Sequence, residues 1–124
     1  DFADWPLDDV LLWPKLLEWL KLPQRRLVLL ANDYGQLAHR CPRFVAGYRS
    51  WSHAIQAFSP DPGDVGQLPS LLVAEGAAVV RLTDRQHWRG QASCDAAESR
   101  ASLDQLDVLL QRSSPAFAVT TLGL

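Results

Sequence analysis

Ser70-Leu71-Leu72-Val73-Ala74-Glu75-Gly76-Ala77-Ala78-Val79-Val80-Arg81-Leu82 is the stretch on which the reading of this chain turns. Two apolar arms surround a Glu75-Gly76 corner, and glycine takes the positive φ that a tight reversal demands. The stretch predicts a β-hairpin over residues 71–82. After it, residues 83–90 form a polar loop carrying His87, Trp88 and Arg89, and a short strand is expected at 91–94. Asp95-Ala96-Ala97-Glu98 matches a capping box. It opens a helix to about residue 112, with Leu103, Leu106, Leu109 and Leu110 on one apolar face. Residues 113–124 are an apolar tail containing Pro115.

Working back from the hairpin, residues 59–64 are a loop broken by Pro60, Pro62 and Gly63. Leu27-Val28-Leu29-Leu30-Ala31 is a continuous apolar run after Arg25-Arg26, the pattern of a strand covered on both faces at the centre of a sheet. Asn32-Asp33 caps a helix over 34–40, interrupted at Cys41-Pro42. A further helix from 43 to about 54 places Phe44, Tyr48, Trp51 and Ile55 on one stripe. A short strand at 55–58 follows. At the start, Asp8 and Asp9 suit the positive end of a helix dipole. Leu12, Leu16, Trp19 and Leu20 then recur at helical spacing until Pro23.

Helix, strand, helix, strand, hairpin, helix is the order of an α/β fold. The expectation is a mixed sheet of four or five strands with helices on both faces. At 124 residues the chain is read as one domain, 1–124, able to bury a core without disulfides or metals. With 48% hydrophobic and 21% charged residues it matches a globular protein, and a net charge of −2 argues against a nucleic-acid binder.

No stretch approaches the length of a spanning helix. Trp5, Trp13 and Trp19 lack the basic face of a membrane-surface helix, so no membrane partner is expected. Cys41 and Cys94 stand alone, as thiols do in a reducing cytoplasm, which is the expected location. The acidic start shows no signal peptide, and the chain holds no methionine. It is therefore read as the C-terminal part of a longer protein.

Chemistry is sparse. His39, His53 and His87 lack metal-ligand spacing, and there is no nucleophile elbow, P-loop or dinucleotide fingerprint. No cofactor and no metal are expected. The best candidates for a ligand site are His53, Arg81, His87, Trp88 and Arg89. Arginine clamps carboxylates and phosphates bidentately, histidine titrates near neutrality, and open α/β sheets bind ligands beyond their strand ends. The competing reading makes 84–90 a solvated surface loop and His53 a helix-end histidine. Trp5, Trp13, Phe117 and Leu122 are the candidates for an exposed apolar interface.

Several stretches together resemble an uncharacterised bacterial domain family with a phospholipase-D-like α/β fold, often found C-terminal to a GNAT-type acetyltransferase domain. They are Arg26-Leu27-Val28-Leu29-Leu30, Pro42-Arg43-Phe44, Ser52-His53-Ala54-Ile55, the Glu75-Gly76 hairpin and the ending Ser114-Pro115-Ala116-Phe117-Ala118-Val119-Thr120-Thr121-Leu122-Gly123-Leu124. Active phospholipase-D-like enzymes carry a His-x-Lys-x4-Asp motif. With Glu75 at the turn, the lysine position is Ser70 and the histidine position Leu68, so neither chemical group is present. The resemblance implies a degenerate scaffold serving as a non-catalytic accessory or interaction domain, with a homodimer and an upstream acetyltransferase domain in the same chain as its partners. A small anionic-ligand or regulatory site is the alternative, and residual phosphodiesterase chemistry on His53 or His87 a weaker one.

Overall fold

Adjacent carboxylates begin the fold by capping two different helices. In the computed structural model, which describes residues 2–117, Asp9 Oδ1 accepts the amides of Leu11 and Leu12 at 2.8 and 3.1 Å. That starts α1 (Leu12–Leu20), and Pro14 sits in its first turn, where proline is tolerated. Asp8 instead reaches forward to the second long helix of its unit. Its Oδ1 accepts the Phe44 amide at 2.9 Å, and Arg43 Nη1 donates to the Asp8 carbonyl at 3.1 Å.

The chain folds as two compact units, residues 1–59 with 114–124, and residues 60–113. The first contains α1, β1 (Leu27–Leu30), α2 (Leu37–Arg40), α3 (Pro42–Ser50) and β2 (Ile55–Ser59). The second contains a 3-10 helix (Pro62–Gln67), β3 (Leu71–Ala74), β4 (Ala78–Asp84), β5 (Arg89–Ser93) and α4 (Ala96–Gln111). β6 (Ser114–Pro115) returns the chain to the first unit.

In the first unit β1 and β2 run parallel, Leu27 opposite Ile55 and Leu30 opposite Phe58. Parallel neighbours need a crossover, which α2 and α3 supply. β6 pairs antiparallel on the other side of β2, so the order is β1-β2-β6. Pro115 has no N–H, a loss that this outer strand tolerates, and the next amide, Ala116, bonds Ala57 O at 2.9 Å.

Phe44, Leu37 and Ile55 are the largest side chains with almost no exposed surface. Around them Trp13 meets Phe44 edge-on at 5.6 Å, Phe44 meets Tyr48 at 6.2 Å, and Phe117 stacks on Tyr34 at 5.7 Å. Ring pairs in these geometries add about 0.5–1.5 kcal/mol each beyond area burial. Gly47 makes the α1–α3 approach feasible, because a Cβ there would lie 2.1 Å from the Trp13 indole.

In the second unit β3, β4 and β5 form an antiparallel meander. The β3–β4 turn is closed by Ala77 N–H to Ala74 O at 2.9 Å, and Gly76 takes φ +73°, the left-handed value expected of its glycine. α4 lies against β3 and β4. Its buried seam starts with Ser99 and Ser102 before Leu109, small residues that let the helix come close to the sheet. Ser99 Oγ donates to Ala74 O at 3.1 Å. Buried Asp64 on the 3-10 helix takes Arg112 bidentately, Nε to Oδ2 at 3.0 Å and Nη2 to Oδ1 at 2.9 Å.

The mixed α/β class holds, but the single sheet of four or five strands does not. Among the described residues there are two sheets of three. β2 has β1 on one edge and β6 on the other, so no strand of the second unit pairs with it. β1, expected at a sheet centre, has only β2 beside it and is half-buried throughout. Two helices are also shorter than their patterns suggested. Asp33 closes a turn onto the Gly35 amide at 2.7 Å, delaying α2 to Leu37, and α3 ends at Ser50, leaving Ile55 to open β2.

Candidate functional site

The five candidate ligand residues divide between the units. His53 belongs to the first, in the exposed turn between α3 and β2, with its ring 5.4 Å from that of Trp51. Arg81, His87, Trp88 and Arg89 belong to the second.

His87 and Trp88 occupy the loop between β4 and β5, shaped by Asp84. Asp84 Oδ1 accepts the amides of Gln86 and His87 at 3.1 and 3.2 Å, while Oδ2 lies 2.8 Å from His87 Nδ1. One carboxylate thus sets the loop backbone and orients the imidazole. Among the described residues no nucleophilic side chain bonds the other ring nitrogen, and the oriented pair is exposed. Trp88 is 65% exposed and held at φ +52°, a conformation that costs a bulky residue energy. Arg89 opens β5 opposite Asp84, beside an irregularity at Leu82–Asp84. Gly90 permits that close pairing, since a Cβ would lie 2.5 Å from Arg81 O.

Arg81 is placed differently. It lies mid-strand in β4 on the face that α4 partly covers, half-buried, with Nη2 donating to Ser102 Oγ at 3.3 Å. The guanidinium borders a cleft of about 250 Å³ with Val79, Gln91, Ser93, Glu98 and Ser102. Among the described residues no carboxylate pairs with Arg81. Arg81 was legible as a candidate; Gln91, Ser93, Glu98 and Ser102 were not. Ser99 and Ser102 are three positions apart and in line with Leu109, the one available sign that this face of the helix is buried.

The candidate interface residues are less exposed than expected. Trp13 and Phe117 pack against the core of the first unit, where large aromatic area finds partners. Trp5 is half-buried on an open cleft of about 570 Å³, with His39, Arg40 and Cys41 on its wall. Leu122 lies outside the described residues. Among the described residues the large exposed apolar side chains are Val10, Leu11, Leu12 and Leu22 around α1, and Val65, Leu72, Val80, Trp88 and Val108 in the second unit.

Burial pushes the Tyr34 hydroxyl up to about 12, and its donation to Phe58 O at 2.7 Å only partly offsets this. Burial also raises the Cys41 thiol, with the Asp8 carboxylate adding to it. Among the described residues no group of three or more His, Cys, Asp or Glu is placed to hold a metal ion, and no helix is long and apolar enough to cross a membrane. No known family model, curated protein or solved structure matches this chain.

Proposed function

We propose that this chain is a non-catalytic interaction domain that pairs with a second copy of itself through the outer face of the β3–β4–β5 sheet. One observation carries the reading. Leu72, Val80 and Ala92 form a cross-strand row, and strand alternation puts Ala74, Ala78 and Leu82 on the same face. α4 lies against the opposite face, and Leu72 and Val80 remain 47% and 37% exposed. A sheet face with this much uncovered apolar surface favours burial against another apolar surface.

The occupant follows from symmetry and shape. The six positions named carry no charge to select a charged partner, but two copies match each other by a two-fold axis. Small side chains keep it flat enough for the roughly 10 Å spacing of stacked sheets. The phospholipase-D-like resemblance supports the same reading, since Leu68 and Ser70 supply neither a histidine nucleophile nor a lysine before the hairpin. It also makes a bacterial cytoplasm and an upstream acetyltransferase domain in the same chain the setting we propose.

Native mass spectrometry and size-exclusion light scattering at about 100 μM test this. A dimer is expected, and Leu72→Glu with Val80→Glu should return it to monomer with unchanged circular dichroism. A wild-type monomer at that concentration overturns the proposal, as does a dimer that the double variant leaves intact.

A further inference from the structure

The cleft between β5 and α4 has the chemistry of a small-zwitterion site. α4 lies on β3 and β4, so the inner side of β5 forms an uncovered floor. The register places Gln91 beside Arg81 and Ser93 beside Val79 on that floor. The α4 wall supplies Ser102 and Glu98. At about 250 Å³ the space is below the roughly 300–1,000 Å³ typical of drug-sized pockets, which selects a ligand of few atoms.

Two charges of opposite sign border this space without closing on each other. Arg81 donates to Ser102 Oγ through Nη2, and its planar fork retains further donors for a carboxylate. Glu98 occupies the position whose side chain would reach back to the Asp95 amide in a reciprocal capping box. Here Ser93 Oγ accepts that amide at 3.1 Å. Glu98 therefore does not make the reciprocal bond; it lines the cleft, and no ion pair joins it to Arg81.

We propose that this cleft binds a free α-amino acid, with the ligand carboxylate on Arg81 and its ammonium on Glu98. Ser93, Gln91 and Ser102 supply neutral hydrogen bonds around it. A dianion such as phosphate is disfavoured because Glu98 would repel it. The site lies on the face opposite Leu72 and Val80, so it stands independently of self-pairing.

Titration of the isotope-labelled full chain by amide NMR tests the proposal, with glycine, L-alanine and L-glutamine as probes and acetate, methylammonium and phosphate as controls. Saturable shifts at Gln91, Ser93 and Ser102 are expected for at least one amino acid. Acetate, methylammonium and phosphate should bind at least tenfold more weakly. Glu98→Gln, an exposed change compatible with the helix start, should weaken binding at least tenfold; Arg81→Lys should do so through loss of the bidentate fork. Absence of saturable shifts with all three amino acids overturns the proposal. So does control binding equal to amino-acid binding, or an affinity that Glu98→Gln leaves unchanged.

Discussion

Asp8 Oδ1 holds the amide of Phe44 at 2.9 Å across 36 positions of sequence. α3 therefore receives its N-terminal cap from the segment that precedes α1, and Arg43 fixes the same segment through the Asp8 carbonyl. Local capping and tertiary docking are here a single interaction.

Asp8→Ala should lower stability by about 1–2 kcal/mol, the usual cost of deleting a cap. Asp8→Asn should recover most of it, since the amide oxygen can still accept. Urea midpoints followed by tryptophan fluorescence read both; an Ala variant as stable as wild type would remove the cap from the account.

Gly47→Ala tests the α1–α3 approach. Alanine favours a helix over glycine by about 1 kcal/mol. The added methyl meets the Trp13 ring at 2.1 Å, and overpacking costs about 1–3 kcal/mol. Net destabilisation is expected; a rise in melting temperature would show that Trp13 moves aside freely.

Tyr34 gives the first unit an alkaline limit. Its folded value, about 12, lies above the ordinary 10.0, so the fold favours the neutral phenol. The contribution is complete below about pH 10 and is lost as pH rises towards about 12. Tyr34→Phe should flatten stability over that window while costing about 1 kcal/mol at neutral pH for the lost Phe58 bond. Parallel alkaline profiles of the two proteins would contradict this.

The Asp64–Arg112 pair ties the 3-10 helix to the end of α4. Removing the charge of a buried carboxylate while leaving its partner breaks two charge-assisted bonds. Asp64→Asn should destabilise the second unit by about 2 kcal/mol, seen as earlier amide exchange along α4. Unchanged exchange there would show that water replaces the pair.

The cysteines should separate cleanly. Cys94 is exposed, whereas Cys41 is buried and its thiol is pushed up by that burial. A thiol reagent near pH 8 should modify one cysteine quickly and the second only in urea. Two fast equivalents would place Cys41 in an opening region.

The hairpin, the Leu27–Leu30 strand and the α4 start were legible because each rests on local chemistry: a glycine corner, an apolar run, an aspartate cap. Partition into two sheets was not, since it depends on which strand edges are already taken, and β6 is only Ser114 and Pro115, too short for any periodicity. The Asp8 cap and the Asp64–Arg112 pair join residues 36 and 48 positions apart, which no local pattern encodes. Of the candidate site, the arginine could be read. Its neighbours could not, because serines on a helix look like solvent-facing residues until the helix is set on its sheet.

Ser59 and Ser114 face each other in the β2–β6 ladder, and everything from Pro60 to Ser113 is spliced between them. The β2–β6 pair of the first unit is thus a hairpin whose connection is itself a folded body. On the ribosome, residues 60–113 are complete before β6 exists, so they can fold while the earlier unit still waits for its third strand. Genetically, the paired serines mark a cut-and-join point: a two-residue turn in place of residues 60–113 would close the same ladder, and the excised body would carry the Arg81 cleft with it.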